Sequence, residues 1–158
     1  MNVAIRHRLP EDLVASTTFL LKRLGFAAKE RGMDAYERED VHPYHYGILL
    51  ALDEGGHETQ GAIADVLGYD RGQLVGLLDE LEERGLIERR RDPNDRRRHV
   101  VQMTPDGKRK LRRLRTLAGE LDDDFLEPLS DSERKQLHTL LLKLAEKHEP
   151  GCALQTPR

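Results

Sequence analysis

The chain has 158 residues, 35% of them charged and 37% hydrophobic, with a formal net charge of −3 at pH 7. This length can bury a core of ordinary size, so we expect one domain with helical extensions and not a disordered chain. No apolar stretch approaches the roughly 18 residues that span a bilayer, and the N-terminus lacks the apolar region of a signal peptide, which favours a cytoplasmic protein without a membrane partner.

Two helices are predicted before the centre of the chain. The first is long: it opens near Pro10, because proline and the following acids suit a first turn, and it should end near Gly32. The second begins at residues 42–43 and ends at residues 55–56, where two glycines can terminate it. The apolar positions are Leu13, Leu20 and Leu24 in the first helix and Ile48, Leu49 and Leu52 in the second.

A helix-turn-helix is predicted next. Residues 59–67 form a short helix, and residues 68–70 a tight turn of the length that joins the two helices of this motif. The following helix, residues 70–83, is amphipathic, Asp70 and Gln73 resemble a capping box, and Gly85 can terminate it. The inward positions are Ile63, Ala64 and Leu67, then Leu74, Leu77, Leu78 and Leu81.

The second helix of such a motif places its first turn in the major groove of DNA. Arg71 and Gln73 are therefore the predicted base-contacting residues, since arginine pairs with guanine and glutamine with adenine, and Asp70 is the predicted cap. Gly72 and Gly76 are interpreted as clearance for DNA, because a glycine costs about 0.8–1 kcal/mol against alanine inside a helix. Ordinary exposed positions and tolerated weak spots are the alternatives.

An arginine-dense hairpin follows the helix-turn-helix. Residues 86–104 hold two short strand-like segments joined by an arginine-dense loop, residues 92–95 have turn chemistry, and six arginines are expected near the tip. The strand residues are Leu86 and Ile87 in the first segment and Val100, Val101 and Met103 in the second. Residues 84–115 hold eleven Arg and two Lys against four acids, a net charge of +9, which leaves −12 on the remainder. This asymmetry is typical of one DNA-facing surface on an acidic body, although a solvated charged hairpin is the alternative.

The hairpin residues expected at DNA are Arg91, Asp95, Arg96, Arg97 and Arg98. Guanidinium groups neutralise phosphates, match base edges and enter a narrow minor groove. At the start of the short helix, Thr59 and Gln60 are expected to contact phosphate.

The C-terminal third is predicted to form two amphipathic helices. Residues 104–105 cap the first, and Ser130 with Glu133 forms a capping box for the second. Apolar stripes at both ends of the chain need a covering surface, and a second copy of the chain is the simplest one, with intramolecular packing as the alternative. The stripes are Leu111, Leu114, Leu117, Leu121 and Phe125, then Leu137, Leu140, Leu141 and Leu144.

Other chemistry has little support in the sequence. The single cysteine, Cys152, lies in a tail where a redox role is not expected. His42 and His45 have the spacing of metal ligands on a helix but lack a third ligand, so no metal site is expected. There is no phosphate-binding glycine loop or nucleophile–base signature, and the acids at 122–124 look like a solvated face. We therefore expect neither a cofactor nor an enzyme.

Three segments together resemble the MarR family of winged helix-turn-helix regulators. They are residues 81–89 (LEERGLIER), residues 95–97 (DRR) and residues 103–107 (MTPDG), with Met103 in place of the usual leucine. The resemblance implies a mainly α fold with a small β wing, in which a winged helix-turn-helix is flanked by N- and C-terminal dimerisation helices. It also implies that Asp95 pairs with a nearby arginine and that Arg97 reaches the minor groove.

The resemblance implies four regions and a regulatory ligand. The regions are a dimerisation helix and loop in 1–40, the DNA-binding domain in 41–104, dimerisation helices in 105–148 and a flexible tail in 149–158. A small phenolic or anionic molecule, bound between the dimer region and the DNA lobe, would release DNA, and the nearest residues by position are His42, His45 and Tyr46. Thiol sensing is disfavoured, because no cysteine lies near the N-terminus.

The leading hypothesis is a homodimeric repressor of a pseudo-palindromic operator. A ligand-independent architectural DNA-binding protein and a helical protein-interaction module with a basic hairpin remain as alternatives. An architectural protein would show weak sequence preference, whereas a repressor would select one palindrome.

Overall fold

A computed structural model describes residues 8–55 and 58–152, which are mainly helical with one two-stranded antiparallel sheet. The mainly α fold with a small β hairpin is thereby confirmed. In chain order the elements are α1 (Glu11–Val14), α2 (Thr17–Arg38), α3 (Pro43–Glu54), α4 (Gln60–Leu67), α5 (Arg71–Glu83), β1 (Ile87–Arg91), β2 (His99–Met103), α6 (Pro105–Phe125), α7 (Asp131–His148) and a 3₁₀ turn (Pro150–Cys152).

The prediction of one long N-terminal helix ending near Gly32 is wrong both about its continuity and about its end. The helix is interrupted after α1, and α2 begins after Ser16, whose hydroxyl accepts a hydrogen bond from Phe19 N at 3.4 Å. At the other end α2 continues through Gly32 to Arg38, because Tyr36 in its last turns is buried in the core. A single glycine weakens a helix by about 1 kcal/mol, which packing of the residues beyond it can offset.

Helices α3, α4 and α5 form a compact lobe around shared apolar side chains. The helix-turn-helix prediction is confirmed: Thr59 caps α4, Gly68 ends it in the left-handed conformation, and Asp70 caps α5. Gly85 also adopts a positive φ, as its place after α5 requires. Of the two glycines expected to end α3, Gly55 has a positive φ and Gly56 lies outside the described residues.

The core of this lobe is apolar, and all four predicted leucines of α5 are buried in it. Its fully buried side chains include Ile48, Leu49, Ile63, Leu74, Leu78, Leu81, Ile87, Val101, Leu111 and Leu114.

Strands β1 and β2 pair from Ile87 with Met103 to Arg91 with His99. The sequence did not predict a third stretch beside this hairpin: Thr59 bridges Val100, and Val101 N donates to Glu58 O at 2.6 Å. The start of α4 is therefore held against the middle of β2.

The first turn of α6 fixes the hairpin from the other side. Thr104 donates to Gly85 O at 2.6 Å and its hydroxyl accepts from Gly107 N at 3.0 Å. A side chain at Gly107 would collide with Leu86 O, so only glycine permits this approach. The predicted capping box of Ser130 and Glu133 is present at the start of α7. Within the described residues, no helix is long and apolar enough to cross a membrane.

Candidate nucleic-acid interface

The first turn of α5 presents the predicted base-contacting residues to solvent. Asp70 Oδ1 accepts hydrogen bonds from Gly72 N at 2.9 Å and Gln73 N at 3.0 Å, which makes Asp70 the helix cap. The predicted capping box is only half formed, because Gln73 returns no side-chain bond to Asp70 and its exposed amide remains available. Arg71 is exposed as well, with a guanidinium nitrogen 3.8 Å from Asp65 on α4, a distance too long to hold it firmly.

The outward face of the first half of α5 is centred on two residues without side chains. At 100° per residue, Gly72 and Gly76 lie on the side opposite the four buried leucines. A Cβ at Gly76 would meet no heavy atom within 4 Å, and one at Gly72 would meet only Asp70 Oδ1 at 3.1 Å. Packing within the protein therefore does not require either glycine, and both positions leave room for an external partner.

The hairpin tip is organised by two aspartates. Asp92 Oδ1 accepts from Asn94 N at 2.8 Å, and Asp95 Oδ1 accepts from Arg97 N at 3.0 Å and lies 3.4 Å from Arg97 Nε. The arginine paired with Asp95 is thus Arg97 itself, whose side chain is 92% exposed. Arg91, Arg96 and Arg98 are also exposed, so four of the five predicted hairpin residues extend into solvent around the half-buried Asp95.

Two of the six arginines expected near the tip have other roles. Arg89 is only 22% exposed, and its guanidinium binds Glu82 (2.6 and 2.9 Å) and Asp79 (2.5 Å), both on α5. Hydrogen bonds from Arg89 hold the pKa of Glu82 below its usual range. Arg90 pairs with Glu88 on its own strand at 2.9 Å. Arg89 therefore fastens the hairpin to α5 and is not placed for DNA.

The predicted phosphate contacts lie at the start of α4. The Thr59 hydroxyl accepts from Ala62 N at 3.2 Å, so capping already occupies one of its lone pairs. Gln60 is half-buried beside it. Their contact with phosphate remains a prediction.

His45 is a structural link that the sequence did not reveal. Its side chain is 1% exposed, Nδ1 accepts from His42 N at 3.0 Å, and Nε2 lies 3.1 Å from a Glu80 carboxylate oxygen on α5. Because Nδ1 accepts, Nε2 carries the proton and faces that carboxylate, at an ion-pair distance but without good hydrogen-bond alignment. Burial lowers the pKa of His45, and Glu80 opposes part of that shift.

A cavity of about 560 Å³ lies between α2, α6 and α7, away from the predicted ligand residues. His42, His45 and Tyr46 do not line it; Tyr46 packs behind Tyr36, which does, with ring centres 5.7 Å apart. Burial raises the pKa of Tyr36 to about 12, so its phenol stays protonated as a hydrogen-bond donor. Apolar side chains form most of the wall, and the polar groups on it include Arg31, Arg134 and His138.

The acids at 122–124 do more than solvate a helix face. Asp124 binds Arg31 at 2.9 Å and Asp123 binds Arg134 at 2.8 Å, so two of them hold the arginines that line the cavity. All three acids are exposed, as the predicted solvated face requires. The local sequence could not show that two of them pair with arginines of α2 and α7.

Comparison with known proteins finds transcriptional regulators among the relatives of this chain. The model of the MarR family matches residues 39–98. A putative transcriptional regulatory protein for the hcr operon of Thauera aromatica is 40% identical over 106 residues, which cover 67% of this chain and 64% of that protein, just under two thirds of its length.

Two solved structures of the regulator CouR cover more of the chain. The CouR repressor bound to a 23-mer DNA duplex superposes with a TM-score of 0.77 at 32% identity, covering 87% of this chain and 99% of that one. CouR from Rhodococcus jostii RHA1 bound to p-coumaroyl-CoA gives a TM-score of 0.70 at 26% identity, covering 94% and 100%.

Proposed function

Because the chain belongs to the MarR family, with its winged helix-turn-helix fold, we propose that it is a dimeric, sequence-specific transcriptional regulator that represses a pseudo-palindromic operator. The observation that carries the proposal is the exposed first turn of α5 together with four exposed arginines around the hairpin tip, on a hairpin that Arg89 fastens to α5. A helix of this kind enters the major groove, while the hairpin, or wing, follows the backbone into the adjacent minor groove. That the similar CouR repressor is bound to a DNA duplex supports DNA binding by this fold.

Dimerisation is supported by exposed apolar side chains that are concentrated near the two ends of the chain. Of thirteen large hydrophobic side chains exposed in the described part of the chain, ten lie in residues 9–26 and 140–144. This concentration exceeds the scattered single exposures of an ordinary surface, and a second copy would cover it. The ten are Leu9, Leu13, Val14, Leu20, Leu21, Leu24, Phe26, Leu140, Leu141 and Leu144.

A small aromatic, phenolic or anionic molecule is the proposed effector, and the cavity between α2, α6 and α7 is its proposed site. The mostly apolar wall suits an aromatic ring, and the Tyr36 phenol can donate to a carboxylate or thioester carbonyl. The Arg31 and Arg134 guanidiniums are paired with Asp124 and Asp123, so they offer their remaining N–H donors and not a free positive charge. That CouR binds p-coumaroyl-CoA supports this class of ligand.

Selection of duplexes from a random library at near-physiological salt tests the DNA-binding proposal. We expect a palindrome with half-site centres about 10 base pairs apart, which a gel shift distinguishes from scrambled DNA. Aromatic acids and their coenzyme A thioesters, p-coumaroyl-CoA among them, are then titrated into that complex, and release of DNA is expected. The absence of an enriched motif would instead favour an architectural protein that binds DNA with weak preference.

A further inference from the structure

We propose that Val75 recognises a thymine by contact with its 5-methyl group in the major groove. This inference rests on the proposed function, because it assumes that α5 enters DNA. It adds a sequence-determining residue that makes no hydrogen bond, beside the polar contacts expected of Arg71 and Gln73.

Val75 is an apolar side chain on a surface that the protein leaves uncovered. It lies in the first half of α5, is 44% exposed, and is not part of the buried leucine face. Its neighbours on the exposed side are Gly72 and Gly76, with Arg71 one turn before it and Asp79 one turn after it, and a Cβ at Gly76 would meet nothing within 4 Å. Because both glycines lack a side chain, the helix backbone between Arg71 and Asp79 can come close to a base edge, where Val75 is the apolar side chain that projects.

The chemistry of the major groove identifies what such a side chain can contact. Guanine, cytosine and adenine present hydrogen-bond donors and acceptors there, whereas thymine also presents a methyl group. Valine has no polar group, and in a helix one χ1 rotamer dominates, so its two methyl groups are held in a defined place. Facing any other base edge, it would cover polar groups without satisfying them.

The negative charge near Val75 is reduced by an ion pair. Asp79 and Glu82, one and two turns further along α5, would repel DNA phosphates if they were uncompensated. The single guanidinium of Arg89, from the wing, binds both carboxylates at 2.5 and 2.6 Å and so offsets one of their two negative charges. The same contact fixes the wing relative to α5 and so defines how deeply the helix can enter the groove.

A protein partner fits this surface less well. The other large apolar side chains exposed on the described part of the DNA-binding lobe, Tyr44 and Val66, come from α3 and α4. One valine flanked by two glycines presents far less than the few hundred Å² of contiguous apolar area that marks a protein-binding patch.

Replacement of thymine by deoxyuridine removes only the 5-methyl group and provides the test. In the duplex selected from a random library, each thymine is replaced in turn, and Kd is measured by gel shift for wild type, Val75→Ala and Val66→Ala. For wild type, we expect Kd to rise about threefold to fourfold at one thymine in each half-site, as the loss of one buried methyl predicts. Val75→Ala should abolish most of that difference, and Val66→Ala, which shortens an exposed valine on α4, should preserve it.

The outcomes separate the inference from the proposed function. Uniform indifference of wild type to deoxyuridine, a half-site without thymine, or an unchanged deoxyuridine effect in Val75→Ala would overturn the role of Val75 while leaving sequence-specific binding intact. Failure to select any duplex would overturn the proposed function itself. Val75 is exposed and alanine is the better helix former, so the variant is expected to fold.

Discussion

Arg97 is the residue through which the wing is expected to add most to DNA affinity. Within the described residues its guanidinium is held only by Asp95, at 3.4 Å, and its side chain is 92% exposed, so it can reach DNA without first breaking a strong ion pair. Arg97→Ala should weaken binding to all sequences and reduce the slope of log K against log salt by about 1.8, because each protomer of the dimer loses one phosphate contact and each contact is equivalent to about 0.9. Gel shifts at several salt concentrations measure this slope.

The control for Arg97 is Lys147→Ala, which removes one positive charge from the last turn of α7, in the proposed dimer region. It should leave the salt slope nearly unchanged. An equal slope in wild type and Arg97→Ala would show that this arginine contacts no phosphate.

His45 should make the stability of the protein depend on pH. Burial lowers its pKa in the folded state below the unfolded value of 6.5, so the unfolded chain binds the proton more readily. The free energy of unfolding therefore has its highest value, as far as His45 is concerned, above pH 6.5. It decreases as the pH falls through 6.5 toward the lowered pKa of the folded state. The loss is about 1.4 kcal/mol for each unit of lowering. The charged or titratable groups facing His45 are Glu80, Arg84 and His42.

His45→Gln is the matched variant, since glutamine at this third helical position can still accept from the backbone of His42 but does not titrate. Urea unfolding between pH 5 and 8 should show a smaller pH dependence for His45→Gln than for wild type. Identical curves would mean that His45 is protonated equally in both states.

Among the contacts that join one element to another, the ion pairs of Arg89 should matter most for the position of the wing. It joins β1 to two carboxylates of α5 and is itself largely covered, which makes its hydrogen bonds stronger than those of an exposed pair. Arg89→Ala should cost about 1–2 kcal/mol in unfolding free energy and weaken DNA binding, although no DNA contact is removed. Hydrogen exchange should rise in β1 and in the second half of α5.

The neighbouring Arg90→Ala serves as control, because Arg90 pairs only with Glu88 at the surface and should change stability by less than about 0.5 kcal/mol. If both substitutions had the same effect, the loss would reflect positive charge on β1 and not the connection to α5.

The sequence predicted elements whose signals are local. Apolar spacing and the caps at Asp70, Thr104 and Ser130 predicted the helices, and turn chemistry predicted the hairpin. The break before Ser16 was missed because serine is tolerated inside a helix as well as at its start.

What the sequence did not predict depends on partners distant along the chain. Charge counting placed Arg89 with the tip arginines, since it cannot show that two carboxylates of α5 face that strand. The His45 contact with Glu80 spans 35 positions, and the Tyr36 wall of the cavity needs α6 and α7 to be in place. Exposed residues such as Arg71, Gln73 and Arg97 could be selected from the sequence because their environment is solvent.

At the scale of the whole molecule, DNA affinity should depend on a surface far from the recognition helix. Leu140 and Leu144, one turn apart on α7, are both exposed and belong to the proposed dimer surface. A Leu140→Asp, Leu144→Asp double variant should be monomeric in analytical ultracentrifugation, because burying two carboxylates there costs more than the interface gains. The DNA-binding lobe should stay folded, since its core of Ile48, Leu78 and Leu114 does not use these leucines.

A monomer engages one half-site at a time and loses the effective concentration that the second recognition helix gains once the first is bound. The double variant should therefore bind the full palindrome at least 100-fold more weakly than wild type, yet bind an isolated half-site about as well. Val66→Asp, which places one charge on an exposed valine of α4, should leave the oligomeric state unchanged. A double variant that remained dimeric would remove α7 from the interface, and a wild type that sedimented as a monomer would refute the dimer and require the apolar stripes to be covered by another partner.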